Sequence, residues 1–468
     1  MSSRLDAPPA RAAIRKILPV LLVLATLLSV RVLTLMFMRA HLHDPAWFQT
    51  GSYAKFDRQA RDILDGRQHV FLIQDPTRTE LAQYPPAFPA LVAAIYGVTG
   101  ERSAYVVQMV QWAIDLVLSL VLIVGITVTA FGWRAGIAAG FLAALSPLFA
   151  MYAAYPSADT PALWFVLAGN WLLLLAAKRN SIRLALGAGL LLGIACWIRV
   201  NPLYLAVGWA IALLVVMRAP WRRRLAMSGA VVFATTVVIS PIVVRNYVTF
   251  PDFTPTGGTI GVNLWEGLGE TELGRRHGFL YGDDKLIEHE RVKMGWPADA
   301  PFDSQWPDGI RRDKERTRES MAFIKQHPVW YAGVMAGRMW GMLKVAGDPV
   351  PYCGISGINV TSRKTLPPAW QGGVVALGVN VLGMIQSVGR YLFLPLAALG
   401  IYVAARRDMI ATVVFLVTIF YYLVPGTAAH TEIRYVLPMH GLLTVFAAVA
   451  VDRLLNLRSQ IGDLTDEH

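Results

Sequence analysis

The chain has 468 residues, of which 55% are hydrophobic and 16% charged, and its formal net charge is +12. Soluble domains carry roughly 25% charged residues, so this composition excludes an ordinary water-soluble globule. The excess Lys and Arg sits in short clusters between apolar runs, as in cytoplasmic loops, and not on a nucleic-acid-binding face; no nucleic-acid partner is expected.

In chain order, residues 1–16 form a basic tail with Arg4, Arg11, Arg15 and Lys16, which places it in the cytoplasm. Residues 17–38 are too long for the apolar region of a signal peptide, and no small-residue cleavage site follows them, so they read as a first span and anchor. Residues 41–86 are too charged to cross. Within them Phe56, Ala60, Ile63 and Leu64 recur at helical spacing, which predicts an interfacial helix over 53–64. The apolar piece 87–98 is short for a span, since crossing needs about 20 residues whose backbone polar groups pair within the segment.

Further spans are expected over 104–130, 135–152, 160–177, 184–198, 203–216 and 226–244. Their inner ends are marked by Arg134, by Lys178, Arg179 and Arg183, and by Arg218 with Arg222, Arg223 and Arg224. Residues 250–326 are hydrophilic with mixed charges, and predict a small extracytoplasmic subdomain. Residues 327–345 and 372–386 could each be a span or a helix on the outer surface; Arg338 and Lys344 favour the surface for the first. Spans over 392–405, 410–424 and 435–451 complete a set of about ten. The organisation read from this is a cytoplasmic tail (1–16), an N-terminal membrane module (17–249), the subdomain (250–326), a C-terminal membrane module (327–452) and a second cytoplasmic tail (453–468). A multi-pass protein of a bacterial-type inner membrane follows. Cys196 and Cys353 lie far apart with no zinc-ligand spacing.

On this topology Asp44, Asp57, Asp159, Arg199, Arg245, Glu432 and Arg434 all fall at or beyond the outer ends of spans. Ionisable groups at membrane depth are costly and tend to face a cavity, so these residues could build one site; the alternative is snorkelling of long side chains to the interface. Arg31 and Asp115 lie deeper. Arg31 could reach the site, and Asp115 could serve only to pair within the bundle.

Several short motifs fall in a consistent order. Residues 60–66 (ARDILDG) resemble an ARxLLxG helix, 84–89 (YPPAFP) a YPPxxP element, and 145–147 (LSP) and 198–202 (IRVNP) the segments flanking a second outer loop. Residues 245–247 (RNY) with 261–265 (GVNLW), and Arg434-Tyr435 with Pro438, continue the series. Together they resemble the GT-C superfamily of integral-membrane glycosyltransferases, near the family 39-like group of protein O-mannosyltransferases and lipid A aminoarabinose transferases, over residues 15 to 455.

The resemblance implies an all-α polytopic bundle of about 10–12 transmembrane helices with an extracytoplasmic loop subdomain. It implies inverting transfer of a sugar from a polyprenyl-phosphate donor to a glycan, lipid or protein acceptor, with the bilayer as the third partner. Such chemistry needs a base, stabilisation of the departing phosphate and a dry sugar pocket. The family's base is a first-loop carboxylate four residues before an aromatic. Counting back from Phe56 reaches Ser52, so the role passes to Asp44, four before Phe48, or to Asp57, which could equally be a solvated charge beside Arg58 and Arg61. Asp159 matches a second-loop acid that could bind a divalent cation or orient the acceptor; it could instead cap the following helix. No cofactor is certain, and the scattered carboxylates do not establish a metal. Tyr84, Arg199, Arg245 and Arg434 are expected to bind substrate, the arginines through the lipid phosphate, with Glu432 orienting one of them. The competing readings are a transporter or flippase of a lipid-linked sugar, a ligase of whole lipid-linked glycans, and a non-enzymatic scaffold.

Overall fold

The computed structural model describes residues 9–465 except 41, 43–49, 71, 74, 76, 256, 258, 259, 344–371 and 431. Every regular element among them is helical. Seven helices are long and apolar enough to cross a membrane: Ile17–Arg39, Ala104–Phe131, Asp159–Arg179, Trp221–Thr249, Gly373–Arg407, Met409–Thr427 and Ile433–Leu457. The ten expected spans correspond to these seven, one bent pair, and the shorter apolar helices Ile182–Ile198 and Leu205–Val216.

The bent pair, Trp133–Leu145 and Pro147–Ala154, corrects the expectation of one straight span over 135–152: the two helices meet at 59°. Proline cannot donate a backbone hydrogen bond, and it pushes the residue before it out of the helical region. Ser146 is accordingly extended, and its hydroxyl accepts from Phe149 N–H to start the second helix. The break lowers the loop at 155–158 into the bundle, where Tyr155, Ser157 and Ala158 are buried.

Close helix packing follows from small residues. Gly189 lies against the Val231 carbonyl of helix Trp221–Thr249, and Gly400 against the Phe446 backbone; a Cβ at either would strike main chain. The last span is the axis of the bundle, with 89% of its apolar window buried against 17% for Gly373–Arg407 at the periphery. Arg31 and Asp115 satisfy one another at 2.9 Å inside the bundle. Trp164 donates to the same carboxylate, so Arg31 is committed to structure and does not reach the cavity described below.

Residues 372–386 and 392–405 prove to be parts of one continuous 35-residue helix, Gly373–Arg407. Helix Pro328–Leu343 is not among the seven long apolar helices. It packs Tyr331, Trp330, Val334 and Met335 onto Val262, Trp265, Leu268, Phe279 and Phe323, the separate core of the 250–326 region. The amphipathic helix Thr50–Leu64 turns Tyr53, Phe56 and Ala60 inward. Phe56 meets Tyr84 and Phe88 edge-on with centroids 5.0 and 4.9 Å away.

Candidate functional site

A cavity of about 1530 Å³ lies where the membrane helices meet the 250–326 region. The amphipathic helix contributes Tyr53, Lys55 and Phe56, and Tyr84 and Pro85 continue that wall. Helix Trp221–Thr249 contributes Thr236, Ile239, Ser240 and Val243, a single stripe at helical period. The remaining walls are the loop ending at Asp159, the turn at Arg199, the segment from His430 to Val436, and Glu266 and Asp283 from the 250–326 region.

Charges of alternating sign run along this wall and on behind it to Glu270 and Arg338, which lie outside the lining. Arg199 meets Asp159 at 3.0 Å, and Arg434 stands 3.9 Å from the other oxygen of the same carboxylate. Arg434 also donates to Glu432 at 2.8 Å. His430 Nε2 lies 3.6 Å from Glu432, and His430 Nδ1 lies 2.5 Å from Glu270. Arg338 closes the series on Glu270 at 3.2 Å. The Tyr435 ring lies beneath both Arg199 and Arg434, 5.0 and 5.5 Å from its centroid. With His430 protonated, the four cations Arg199, Arg434, His430 and Arg338 exceed the three anions Asp159, Glu432 and Glu270 by one charge.

Local structure fixes each member. Asp159 is the first residue of its helix, and the preceding Ala158 makes no side-chain cap. Its carboxylate, in the first turn of that helix, also pairs with Arg199. Arg199 ends helix Ile182–Ile198 in extended conformation, which carries its side chain off the helix axis. Arg434 lies in a single 3-10 turn, Ile433–Val436, that offsets it from the following span. Gly267 allows the approach of the 429–430 backbone and of Arg338, because a Cβ there would lie 2.7 Å from His430 N and 2.8 Å from the Arg338 guanidinium.

The fields are strong. Burial alone lowers the His430 pKa, but hydrogen bonds to Glu270 and Glu432 and the charges of both raise it to about 10. Burial raises the Glu432 carboxyl, yet Arg434, His430 and Arg199 together hold it down at about 2. Glu266 behaves oppositely: burial and then the neighbouring Asp283 carboxylate raise it to about 7. Among the described residues no group of three or more His, Cys, Asp or Glu is arranged to hold a metal ion.

Of the residues singled out from sequence, Asp159, Arg199, Glu432, Arg434 and Tyr84 come together on this cavity. Asp57 does not line it: its carboxylate pairs with Arg61 at 2.9 Å and accepts from the Tyr96 hydroxyl at 2.5 Å. Arg245 is also outside the lining and donates to Asn246 Oδ1 at 2.8 and 3.0 Å. Asp44 and Cys353 lie outside the described residues, as does the side chain of Ser52. Sequence reasoning missed His430, Glu270, Arg338, Glu266 and Lys55. His430 stands two residues before Glu432, Glu266 directly follows the 261–265 motif, and Arg338 reads only as a mark of a surface helix; Glu270 and Lys55 carry no signal.

Residues 83–244 match the family described as dolichyl-phosphate-mannose-protein mannosyltransferase. That match supports the GT-C resemblance carried by the motifs. A solved structure of the archaeal oligosaccharyltransferase AglB from Archaeoglobus fulgidus, in complex with an inhibitory peptide and a dolichol-phosphate, is 13% identical with a TM-score of 0.49. It covers 95% of this chain and 52% of its own. The Archaeoglobus fulgidus oligosaccharyltransferase tethered with an acceptor peptide containing the NVT sequon is 12% identical with a TM-score of 0.47, covering 93% of this chain and 50% of its own. The chain thus spans about half the length of these solved structures. No curated protein matches.

Proposed function

We propose, taking the GT-C superfamily of membrane glycosyltransferases as the starting point, that this chain transfers a sugar from a polyprenyl-phosphate donor to an acceptor hydroxyl or amine at the outer face of an inner membrane. The observation that carries this reading is the placement of Arg199 and Arg434 on one wall of a large cavity, both stacked over Tyr435. Guanidinium groups match phosphate oxygens and stay charged at any working pH. Ile239 and Val243 on helix Trp221–Thr249 offer the lipid chain apolar contacts in the cavity.

In this mechanism the acceptor oxygen attacks the anomeric carbon from the face opposite the phosphate, which inverts the configuration. The C1–O bond to phosphate breaks, and its electron pair leaves on the phosphate oxygen facing the arginines. The acceptor proton passes to a carboxylate. Of the first-loop candidates, Asp57 is engaged by Arg61 and Tyr96, and Asp44 remains the proposal carried over from the motif. Orientation follows from the basic inner loops, with both termini in the cytoplasm.

The test is transfer of labelled sugar from polyprenyl-phosphate hexoses and pentoses by protein in proteoliposomes. The expected result is glycosylated acceptor and free polyprenyl phosphate from donor supplied on the outer side. Movement of intact donor across the bilayer without transfer would establish a flippase and overturn the reading.

A further inference from the structure

The walls of the cavity differ in charge. On the membrane side each lining acid has a cation: Asp159 has Arg199 at 3.0 Å and Glu432 has Arg434 at 2.8 Å. On the side built by the 250–326 region the lining lysine, Lys314, is taken by Asp252 at 3.2 Å. Asp313 there accepts the N–H groups of Gly261 and Val262, and Asp303 those of Gln305 and Trp306. Glu266, Asp283 and Asp284 line the same side, and among the described residues no ion pair joins any of them to a cation. Glu266 is only 8% exposed, and the neighbouring group that acts on it most strongly is another carboxyl, Asp283. Two carboxyls drawn together away from water repel, and a cation from a ligand relieves that cost.

Tyr281 stands beside them. A Cβ on Gly269 would lie 2.2 Å from the Leu280 carbonyl carbon and 2.5 Å from Tyr281 N, so the glycine lets the 280–281 backbone rest on the helix that carries Glu266. The Tyr281 ring is 45% exposed, lines the cavity, and lies 5.9 Å from the His430 ring. His430 Nε2 is 3.6 Å from Glu432, which holds Arg434. The unpaired acids therefore adjoin the arginines through a short run of contacts.

We propose that this side of the cavity is the acceptor subsite, and that the acceptor carries an ammonium group seated among Glu266, Asp283 and Asp284 against the Tyr281 ring. This rests on the glycosyl-transfer reading above. An aromatic face attracts an ammonium through its ring quadrupole, and carboxylates without a resident cation complete the cage. The two substrates are then sorted by sign. Donor phosphate goes to Arg199 and Arg434 and the acceptor cation to the opposite acids, while the reversed placement sets like charges together. A protonated amine has no lone pair, so it anchors the acceptor, and a hydroxyl elsewhere on the same molecule receives the sugar. An amino sugar and an amine-bearing lipid both present this cation.

The experiment measures acceptor KM at about pH 7 for the full chain in proteoliposomes supplied with labelled polyprenyl-phosphate hexose or pentose. Acceptors come in pairs alike except for N-acetylation: methyl glucosaminide with methyl N-acetylglucosaminide, and sphinganine with N-acetylsphinganine. With wild type, the free amine should have a KM about tenfold below that of its acetamide, the size expected of a few partly exposed charge contacts. The gap should narrow in about 1 M salt, where charges are screened beyond about 3 Å. Glu266→Gln and the double variant Asp283→Asn with Asp284→Asn should each close it by raising KM for the amine, while KM for the acetamide and for the donor stays as in wild type. A gap in the sugar pair alone identifies an amino-sugar acceptor, and one in the lipid pair alone an amine-bearing lipid. Equal KM values within both pairs overturn the proposal, as does a wild-type gap in the folded double variant. If that variant fails to fold, a gap unmoved by salt overturns it instead. Wild type that releases no sugar from any donor, to acceptor or to water, sinks the glycosyl-transfer reading itself, an outcome distinct from equal KM values.

Discussion

His430→Gln removes a cation from between two buried carboxylates while leaving each a second partner: Glu270 keeps Arg338 at 3.2 Å and Glu432 keeps Arg434 at 2.8 Å. The imidazole pKa rises from 6.5 to about 10 in the folded chain, against the opposing effect of burial. A raised folded-state pKa means the stabilisation is fully present below pH 6.5 and is lost as pH rises through 10. At about 1.4 kcal/mol for each tenfold change in proton affinity, the ceiling is on the order of 5 kcal/mol, comparable to breaking a buried ion pair. Glu266 titrates at about 7, so the clean window opens above it. Scanning fluorimetry in detergent from about pH 7.5 to 10 should show the wild-type melting temperature falling steeply. The variant should start lower and stay flatter, so that the two curves converge at the alkaline end. Parallel curves across the window would refute the assignment of His430 as a buried imidazolium.

Arg434→Ala should lower kcat by about 10²–10³-fold, the usual cost of losing one donor to a developing oxyanion. Arg434→Lys should recover only part of this, because the charge returns without the fork; full recovery in a transfer assay would argue against bidentate phosphate binding. Asp57→Asn should leave transfer unchanged and cost no more than about 1 kcal/mol of stability, since it breaks a half-exposed helix pair; a folded variant without activity contradicts this. Gly267→Ala should destabilise by about 1–3 kcal/mol through overpacking against His430 N and Arg338, read as a drop in melting temperature.

The membrane architecture was legible because a bilayer imposes one local requirement, a long apolar run, that any window of sequence reveals. The same logic fails where a helix need not be uniformly apolar. Arg390 lies between two apolar stretches, and they read as two segments although helix Gly373–Arg407 runs through both. Proline at 147 was visible, but a span interrupted at the bilayer's depth has the same hydropathy as a straight one. The site divides similarly. Asp159, Arg199, Glu432 and Arg434 could be singled out because ionisable groups at the ends of apolar runs tend to face a cavity, and they do line one. Arg338 was read as a surface marker, yet it is fully buried, with its terminal nitrogens held by the Gly267 carbonyl, Glu270 and the Thr427 carbonyl. Those partners lie 68 to 89 positions away, beyond any local periodicity. Glu266 was hidden for the same reason: its character comes from Asp283 and burial, both products of tertiary packing.

The alternating charges around Asp159 have a consequence for what the cavity admits. Each arginine offered to phosphate already has an acid in residence, so a small anion from the medium gains little by displacing it. A lipid-linked phosphate brings in addition a chain that leaves water along helix Trp221–Thr249, and that gain can tip the exchange. Free phosphate should therefore be a poor ligand and polyprenyl phosphate a good one, although both present the same oxygens. On the proposed function, Asp159 and Glu432 would then act as resident competitors that a phosphate must displace.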